Sequence, residues 1–408
     1  MPLKFLVKNH YIFSTSFIVF IILNFFTACH SRIKPINIAA DSLHIVLPKA
    51  GSLTINQEKK LHQACNLWYD TVLKNSNFNG GVLVAKQGNI VFEAYKGEQF
   101  IGKPGIINAN TPLHIASVSK TFTAMAVLQL VQQGKINLQD DLTTFFAGFN
   151  YPNIKVKDLL SHRSGLPNYL YFMDYLGWDQ TAFIGNRDVL NYLITRKAEI
   201  KNIGLPGRSF SYCNTNFVLL ALIIEKIVGI DYPTYMQKTF FAPLGMNNTF
   251  VFTMADTIRM TPSYDWRGQL IPINFLDKAY GDKNIYSTPR DLLIWDRALK
   301  QNVLFNDSIL QMAYTPYSNE KPGIKNYGFG WRMNLYPNGR KMIFHNGWWH
   351  GSNAAFIRLL EEDATIIVIG NRFTSAVYKA KQLANIFSSY FDDLPVSADP
   401  GVGEENAL

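Results

Sequence analysis

A chain of 408 residues with 48% apolar and 17% charged side chains can bury a large core and is not disordered as a whole. Its formal charge of +9 comes from scattered basic residues without a long run, which argues against a nucleic-acid partner. Three cysteines do not make a disulfide scaffold, and no Cys/His cluster has the spacing of a metal site.

Residues 1–28 stand apart from the core. Lys4 and Lys8 precede an apolar run over 11–26, interrupted by Ser14, Thr15, Ser16 and Asn24, which reads as a secretory signal. The run is short for a transmembrane helix, which needs roughly 20 apolar residues. Phe26-Thr27-Ala28-Cys29 resembles a bacterial lipoprotein signal, in which the cysteine becomes the lipidated first residue. The expectation is an exported protein of the cell envelope, on its periplasmic side, anchored to the membrane through a lipid on Cys29. Residues 29–54 then form a tether. Cys65 and Cys213 lie in apolar helix-like contexts and read as buried free thiols.

Residues 55–74 show helical periodicity at Leu61, Ala64, Cys65, Trp68 and Val72. After Asn79-Gly80-Gly81, the runs Val82-Leu83-Val84-Ala85 and Ile90-Val91-Phe92 flank Lys86-Gln87-Gly88-Asn89, a β-hairpin pattern. Residues 117–134 form a helix that is apolar nearly all round, closed by Gly134, and therefore expected to be buried. Residues 156–160 make a short helix before the turn Ser161-His162-Arg163-Ser164-Gly165. Residues 169–201 are aromatic-rich without strand alternation and read as an inserted helical lobe. Apolar helices follow over 217–228, ending at Gly229, and over 232–241. Thr288, Pro289 and Asp291 open a helix through Leu299. Four strands are expected over 328–333, 341–345, 354–359 and 365–369, then a closing helix over 376–390 and a polar tail over 393–408. Strands at both ends with helices between them fit an α+β class. The expected architecture is a mainly antiparallel sheet flanked by helices, with the helical lobe inserted, all within one domain over 55–392.

Three stretches carry chemistry. Ser117 and Lys120, three apart at the start of the buried helix, share a face, and a serine hydroxyl becomes a useful nucleophile when a neighbouring base takes its proton. The helix N-terminus also favours a developing oxyanion. The S-x-x-K pattern recurs at Ser318 and Lys321, in a turn-like stretch without an apolar helix. Tyr212-Cys213-Asn214 opens a second apolar helix, and pairs a phenol suited to proton transfer with an amide that can orient Lys120 or a substrate. His345-Asn346-Gly347-Trp348, at the end of a strand, offers a glycine where a substrate carbonyl can approach the backbone and an N–H beyond it.

In this order the three stretches resemble the serine β-lactamase and penicillin-recognising hydrolase superfamily, with its class C-like β-lactamases, D-Ala-D-Ala carboxypeptidases and related esterases. Its pattern is S-x-x-K, then Y-x-N, then K-T-G or H-x-G. Leu159-Leu160-Ser161-His162-Arg163-Ser164-Gly165-Leu166-Pro167 and Tyr286-Ser287-Thr288-Pro289-Arg290-Asp291-Leu292 look like two further segments of that family, so the resemblance spans about residues 58–392. It implies a β-lactamase/transpeptidase-like fold and an acyl-serine intermediate. Ser117 would be the nucleophile, Lys120 the general base and Tyr212 its partner in proton transfer. Asn214 would position Lys120 and the substrate. The N–H groups of Ser117 and Trp348 would form the oxyanion hole, and His345, Asn346 and Gly347 would line the substrate strand. No metal or organic cofactor is implied, and the partner is a small-molecule or peptide substrate. His345 and Asn346 stand where β-lactamases usually carry Lys and Thr, and Trp348 and Trp349 add bulk. Both departures favour an esterase, amidase or D-Ala peptidase over an efficient β-lactamase. The other class is a non-catalytic envelope binding or sensor protein on the same fold.

Overall fold

The computed structural model describes residues 45–300 and 303–391. The leader, Cys29 and the polar tail lie outside those residues. Twelve strands and ten α-helices are defined within them. The strands are β1 (Gly80–Lys86), β2 (Asn89–Lys96), β3 (Leu113–His114), β4 (Phe250–Val251), β5 (Ser263–Tyr264), β6 (Leu270–Ile271), β7 (Ile285–Ser287), β8 (Lys325–Tyr327), β9 (Arg332–Leu335), β10 (Lys341–Trp349), β11 (Ser352–Leu359) and β12 (Ala364–Gly370). The helices used below are α1 (Ile55–Trp68), α2 (Ser119–Gln132), α3 (Val156–Leu160), α4 (Tyr169–Tyr175), α5 (Asn186–Thr195) and α6 (Asn214–Val228).

A seven-stranded antiparallel sheet in the order β2-β1-β12-β11-β10-β9-β8 forms the middle layer. Its central strands β1, β12 and β11 are buried on both faces, and period-2 alternation divides the sheet's side chains between two cores. Leu83, Ile343, Ala354, Phe356, Ile367 and Ile369 join the larger core with α2 and α6. Val82, Val84, Phe344, Ala355, Ile357, Ile366 and Val368 join the smaller one with α1 and the segment Ser375–Ile386. The α+β architecture read from the sequence is the one observed.

The hairpin turns at Gln87 and Gly88, both with positive φ (53° and 77°), the geometry that matches the twist of its strands. The 55–74 helix is α1 continued by one π-helical turn, Tyr69–Lys74. Helix α2 is buried at every residue from Ser119 to Leu130, as its all-round apolarity required, and Gly134 beyond it takes a φ of 66°. Helix α6 starts three residues earlier than its apolar pattern and ends at Gly229, whose φ is 75°. Helices α4 and α5 occupy the predicted lobe.

Three expectations are corrected. Residues 328–331 are the turn between β8 and β9, not strand: Gly330 has a φ of 77°, and a side chain there would lie 2.3 Å from the Ala124 methyl on α2. The strand expected to stop at His345 continues to Trp349, because β11 pairs with it from Ile343 to its end. The closing helix is a 3₁₀ segment over Ser375–Ile386.

Candidate active site

The serine arrives on a short path from the sheet side of the molecule. Strand β3 pairs with β7 and leads through Ile115 and Ala116 into a single 3₁₀ turn, Ala116–Val118, that runs straight into α2. Ala116 has a φ of 48°, a left-handed conformation costing an alanine on the order of 1 kcal/mol or more. That kink turns Ser117 out of the buried helix: it is partly exposed, while Val118, Ser119 and Lys120 are buried.

Lys120 is fully buried, and its Nζ meets three oxygens: Ser117 Oγ at 2.9 Å, Asn214 Oδ1 at 2.8 Å and the main-chain carbonyl of Asp282 at 2.7 Å. An ammonium donates to all three. A neutral amine donates to the amide and the carbonyl and accepts from the serine hydroxyl, so one geometry serves both protonation states. Asn214 is the first residue of α6, which is why Tyr212-Cys213-Asn214 delivers its amide here. Gly281, with a φ of 95°, lets the Asp282 carbonyl reach Lys120, since a Cβ there would lie 2.5 Å from the Phe217 carbonyl.

The Tyr212 ring completes this corner. Lys120 Nζ lies 4.9 Å from its centroid, the Arg332 guanidinium 5.2 Å, and the His162 ring 4.3 Å. The ammonium therefore meets the face of the ring. His162, fully buried, holds the loop in place by accepting the Cys213 N–H at Nδ1 (3.1 Å). Burial, with the charges of Lys120 and Arg332 nearby, keeps His162 well below its ordinary pKa and hence neutral.

The third stretch lies along β10. Gly347 packs directly on the serine turn: a Cβ on it would sit 2.3 Å from the Ile115 carbonyl oxygen and 3.1 Å from the Ala116 methyl. The contact sets Trp348 one residue, and Ser117 two residues, beyond the point where the two backbones touch. Strand β9 pairs with β10 only over Lys341–Phe344, so beyond Phe344 that edge of β10 has no strand on it among the described residues. His345 does not line the substrate strand as the resemblance implied. It is fully buried, with Nε2 3.2 Å from the Tyr327 hydroxyl and Nδ1 2.6 Å from the Asn346 carbonyl. Burial, then Arg332 and Lys120, push its pKa well down, so it carries no charge at neutral pH. Strand alternation puts Asn346 and Trp348 on the opposite face from His345 and Gly347, so the Asn346 side chain is directed away from the serine. Trp348 rests on Phe373, with ring centroids 5.5 Å apart.

The beta-lactamase family model matches residues 70–390. The chain belongs to the beta-lactamase family. Among curated relatives, penicillin-binding protein 4* of Bacillus subtilis (strain 168) is 28% identical over 345 residues, covering 80% of this chain and 74% of the relative. Protein flp of Staphylococcus aureus (strain N315) is 26% identical over 323 residues, 74% of this chain but only 61% of the relative's length. A penicillin-binding protein from Bacillus halodurans superposes with a TM-score of 0.68 at 23% identity, over 80% of this chain and 98% of that one. A D-stereospecific amidohydrolase from Streptomyces sp. gives 0.61 at 23% identity, over 79% and 98%. These solved structures share the fold.

Within this beta-lactamase-family framework, the structure adds residues that no motif announced. Arg332, on β9, lies over Tyr212; among the described residues no carboxylate pairs with it, and its buried Nε has no hydrogen-bond partner. Asp282, fully buried, supplies its carbonyl to Lys120 and its carboxylate to the Tyr169 hydroxyl (3.1 Å) and to Lys283 (3.4 Å). Lys283, also buried, places its ammonium 4.7 Å from the Trp349 ring. A charged pair in an apolar sequence context is the one signal that could have marked Asp282 and Lys283. The decoy Ser318 and Lys321 lie in a loop outside any helix. Cys65 and Cys213 are buried free thiols, with burial pushing them up to about 12 and about 11. Among the described residues, no group of three His, Cys, Asp or Glu could hold a metal, and no helix is long and apolar enough to cross a membrane.

Proposed function

We propose that this protein is a serine hydrolase that forms an acyl-enzyme on Ser117 from a peptide, amide or ester bearing a carboxylate near the scissile bond. The observation that carries the reading is the 2.9 Å contact of Lys120 Nζ with Ser117 Oγ in a buried corner closed by Asn214. In the first half-reaction Lys120, as the neutral amine, takes the Ser117 proton while Oγ bonds to the substrate carbonyl carbon. The negative charge passes to the carbonyl oxygen, facing the Ser117 and Trp348 amides. As the tetrahedral intermediate collapses, the carbon–leaving-group bond breaks. The proton moves from Lys120, with Tyr212 as its neighbour, to the departing amine or alcohol. Water then repeats the sequence on the acyl-serine and restores the enzyme.

The unpaired guanidinium of Arg332 supplies a positive charge that the neutral, buried His345 does not, and this favours an anionic substrate. The penicillin-binding proteins and the D-stereospecific amidohydrolase among the similar proteins favour a D-amino-acid peptide or amide. The bulk of Trp349, which strand alternation places on the same face of β10 as Gly347, weighs against rapid β-lactam turnover, whereas Trp348 packs away on Phe373. We further propose export to the cell envelope and a lipid anchor on Cys29, on the strength of residues 1–29 alone; Cys29→Ser should release the protein from membranes.

The test is a fluorophosphonate probe together with p-nitrophenyl esters, a chromogenic cephalosporin and D-Ala-D-Ala peptides. Wild type should be labelled on Ser117 and turn over at least one substrate, and Ser117→Ala should lose both. Turnover that persists in Ser117→Ala, or a folded wild type inert to every probe, would rule the reading out and leave a binding or sensor role.

A further inference from the structure

We infer that Asp277 is a positioning residue that holds the serine turn and the Trp348 segment in register. It reaches the end of β10 through its carboxylate and the serine turn through its main-chain carbonyl by way of Asn284 and His114, although it touches neither the serine nor the substrate. The inference rests on the acyl-serine reading above.

Asp277 lies in the loop between β6 and β7 and is only 3% exposed. Its carboxylate accepts the Trp349 indole N–H at Oδ1 (2.6 Å) and lies against His350 Nε2 (2.9 Å to Oδ2, 3.1 Å to Oδ1). The backbone N–H of Asn274 fixes the carboxylate itself, at 2.6 Å to Oδ2. Trp349 and His350 directly follow Trp348, so these bonds pin the end of β10 just beyond the proposed oxyanion donor. The turn they anchor has little freedom of its own. His350 has a φ of 51°, and a Cβ on Gly351 would lie 1.8 Å from the Tyr264 carbonyl.

The other arm starts at the main-chain carbonyl of the same residue. It accepts from Asn284 Nδ2 (2.9 Å), which also donates to the Ala279 carbonyl (2.7 Å). With both amide hydrogens so used, Asn284 Oδ1 must accept, and it faces His114 Nε2 at 3.0 Å. His114 therefore carries its proton on Nε2, which agrees with a buried Nδ1 that has no partner. Burial holds His114 neutral, pushed down to about 4. It sits on β3 three residues before Ser117. Asn284 adopts a φ of 72° at this bridge, a left-handed backbone that asparagine tolerates better than most residues other than glycine.

Asp277 thus joins the two segments whose amides are proposed to receive the oxyanion. Despite burial, its bonds to His350, Asn274 and Trp349 keep its carboxyl below the ordinary range, so it stays an anion throughout the neutral pH region. An oxyanion hole acts by donors already in place, and losing one such donor costs roughly 10²–10³ in rate. Loosening one donor by a fraction of an ångström costs less.

Asp277→Asn, Trp349→Phe, His350→Ala and His350→Gln are compared with wild type by steady-state kinetics on a p-nitrophenyl ester and by the rate of fluorophosphonate labelling. Asp277→Asn should lower kcat by about tenfold or more with KM within about twofold, and slow labelling in parallel. Trp349→Phe, which leaves the carboxylate its other donors, should show a smaller loss of the same kind. His350→Gln, which restores an N–H, should recover most of what His350→Ala loses. Wild-type kcat in folded Asp277→Asn overturns the inference. So does a loss borne by KM, or a loss in the His350→Ala variant that Gln does not recover. If Asp277→Asn does not fold, Trp349→Phe decides by the same criterion. A wild type that is never labelled on Ser117 refutes the underlying chemistry instead, a different result from a labelled wild type with an indifferent Asp277.

Discussion

At the scale of single residues, the site turns on where positive charge is placed. Lys120 is enclosed by three oxygens, and Arg332 lies over the same tyrosine ring without an acid of its own. An unpaired guanidinium is disposed to bind a carboxylate in two parallel hydrogen bonds, worth about 1.5–3 kcal/mol when charge-assisted. Arg332→Gln should therefore raise KM for a D-Ala-D-Ala peptide by roughly 10- to 100-fold while changing kcat/KM for an uncharged p-nitrophenyl ester little. Steady-state kinetics on the two substrates decide it, and an equal loss on both would show that Arg332 supports Tyr212 instead.

At the scale of elements, the close seat of β10 on the serine turn is made possible by the missing side chain of Gly347. A methyl there would sit 2.3 Å from the Ile115 carbonyl, and backbone on both sides leaves it nowhere to go. Gly347→Ala should cost about 1–3 kcal/mol in urea unfolding and abolish most activity. Gly204→Ala, which meets nothing within 4 Å, should stay within about 0.5 kcal/mol of wild type. An active, stable Gly347→Ala would mean that the two segments separate more easily than their contact implies.

The same elements show what the sequence can tell. Ser117, Lys120 and Asn214 were legible because each sits at the start of a helix whose apolar pattern fixes its direction. The strands of the central sheet were legible from their apolar runs. The 328–331 turn was not, since Phe329 and Trp331 make it look like strand while Gly330 supplies the bend. The burial of His345 is not legible, because its neighbours in sequence say nothing of Tyr327 closing over it. Arg332, Asp277 and Asp282 come from segments without a motif, and only the folded chain brings them to the site.

For the molecule as a whole, three buried histidines set its response to acid. His114, His162 and His345 are all held below the ordinary imidazole pKa of about 6.5, chiefly by burial. Above about pH 6.5 both folded and unfolded chains keep them neutral, and stability is at its full value. As pH falls below that, the unfolded chain takes up protons that the folded one refuses, and stability is lost. For His114, pushed down to about 4, the loss between about pH 6.5 and 4 is on the order of 3 kcal/mol, and the other two act in the same direction. The urea midpoint should therefore drop clearly between pH 7.5 and 5. A flat profile over that interval would show that the unfolded state does not gain these protons.

The strand order also governs how the molecule can come into being. Strand β1 lies between β2 and β12, with Gly80 opposite Gly370, so the earliest strand waits for the last one. During synthesis the β1–β2 hairpin and the helices around α2 and α6 must emerge, and remain in solution, with one side of β1 unpaired. The active corner cannot close until β10 and β11 have followed. A ribosome that stalls anywhere before residue 364 leaves a fragment with an open sheet edge and no finished active corner, so a truncated copy of this protein should be prey for proteases rather than a weak enzyme.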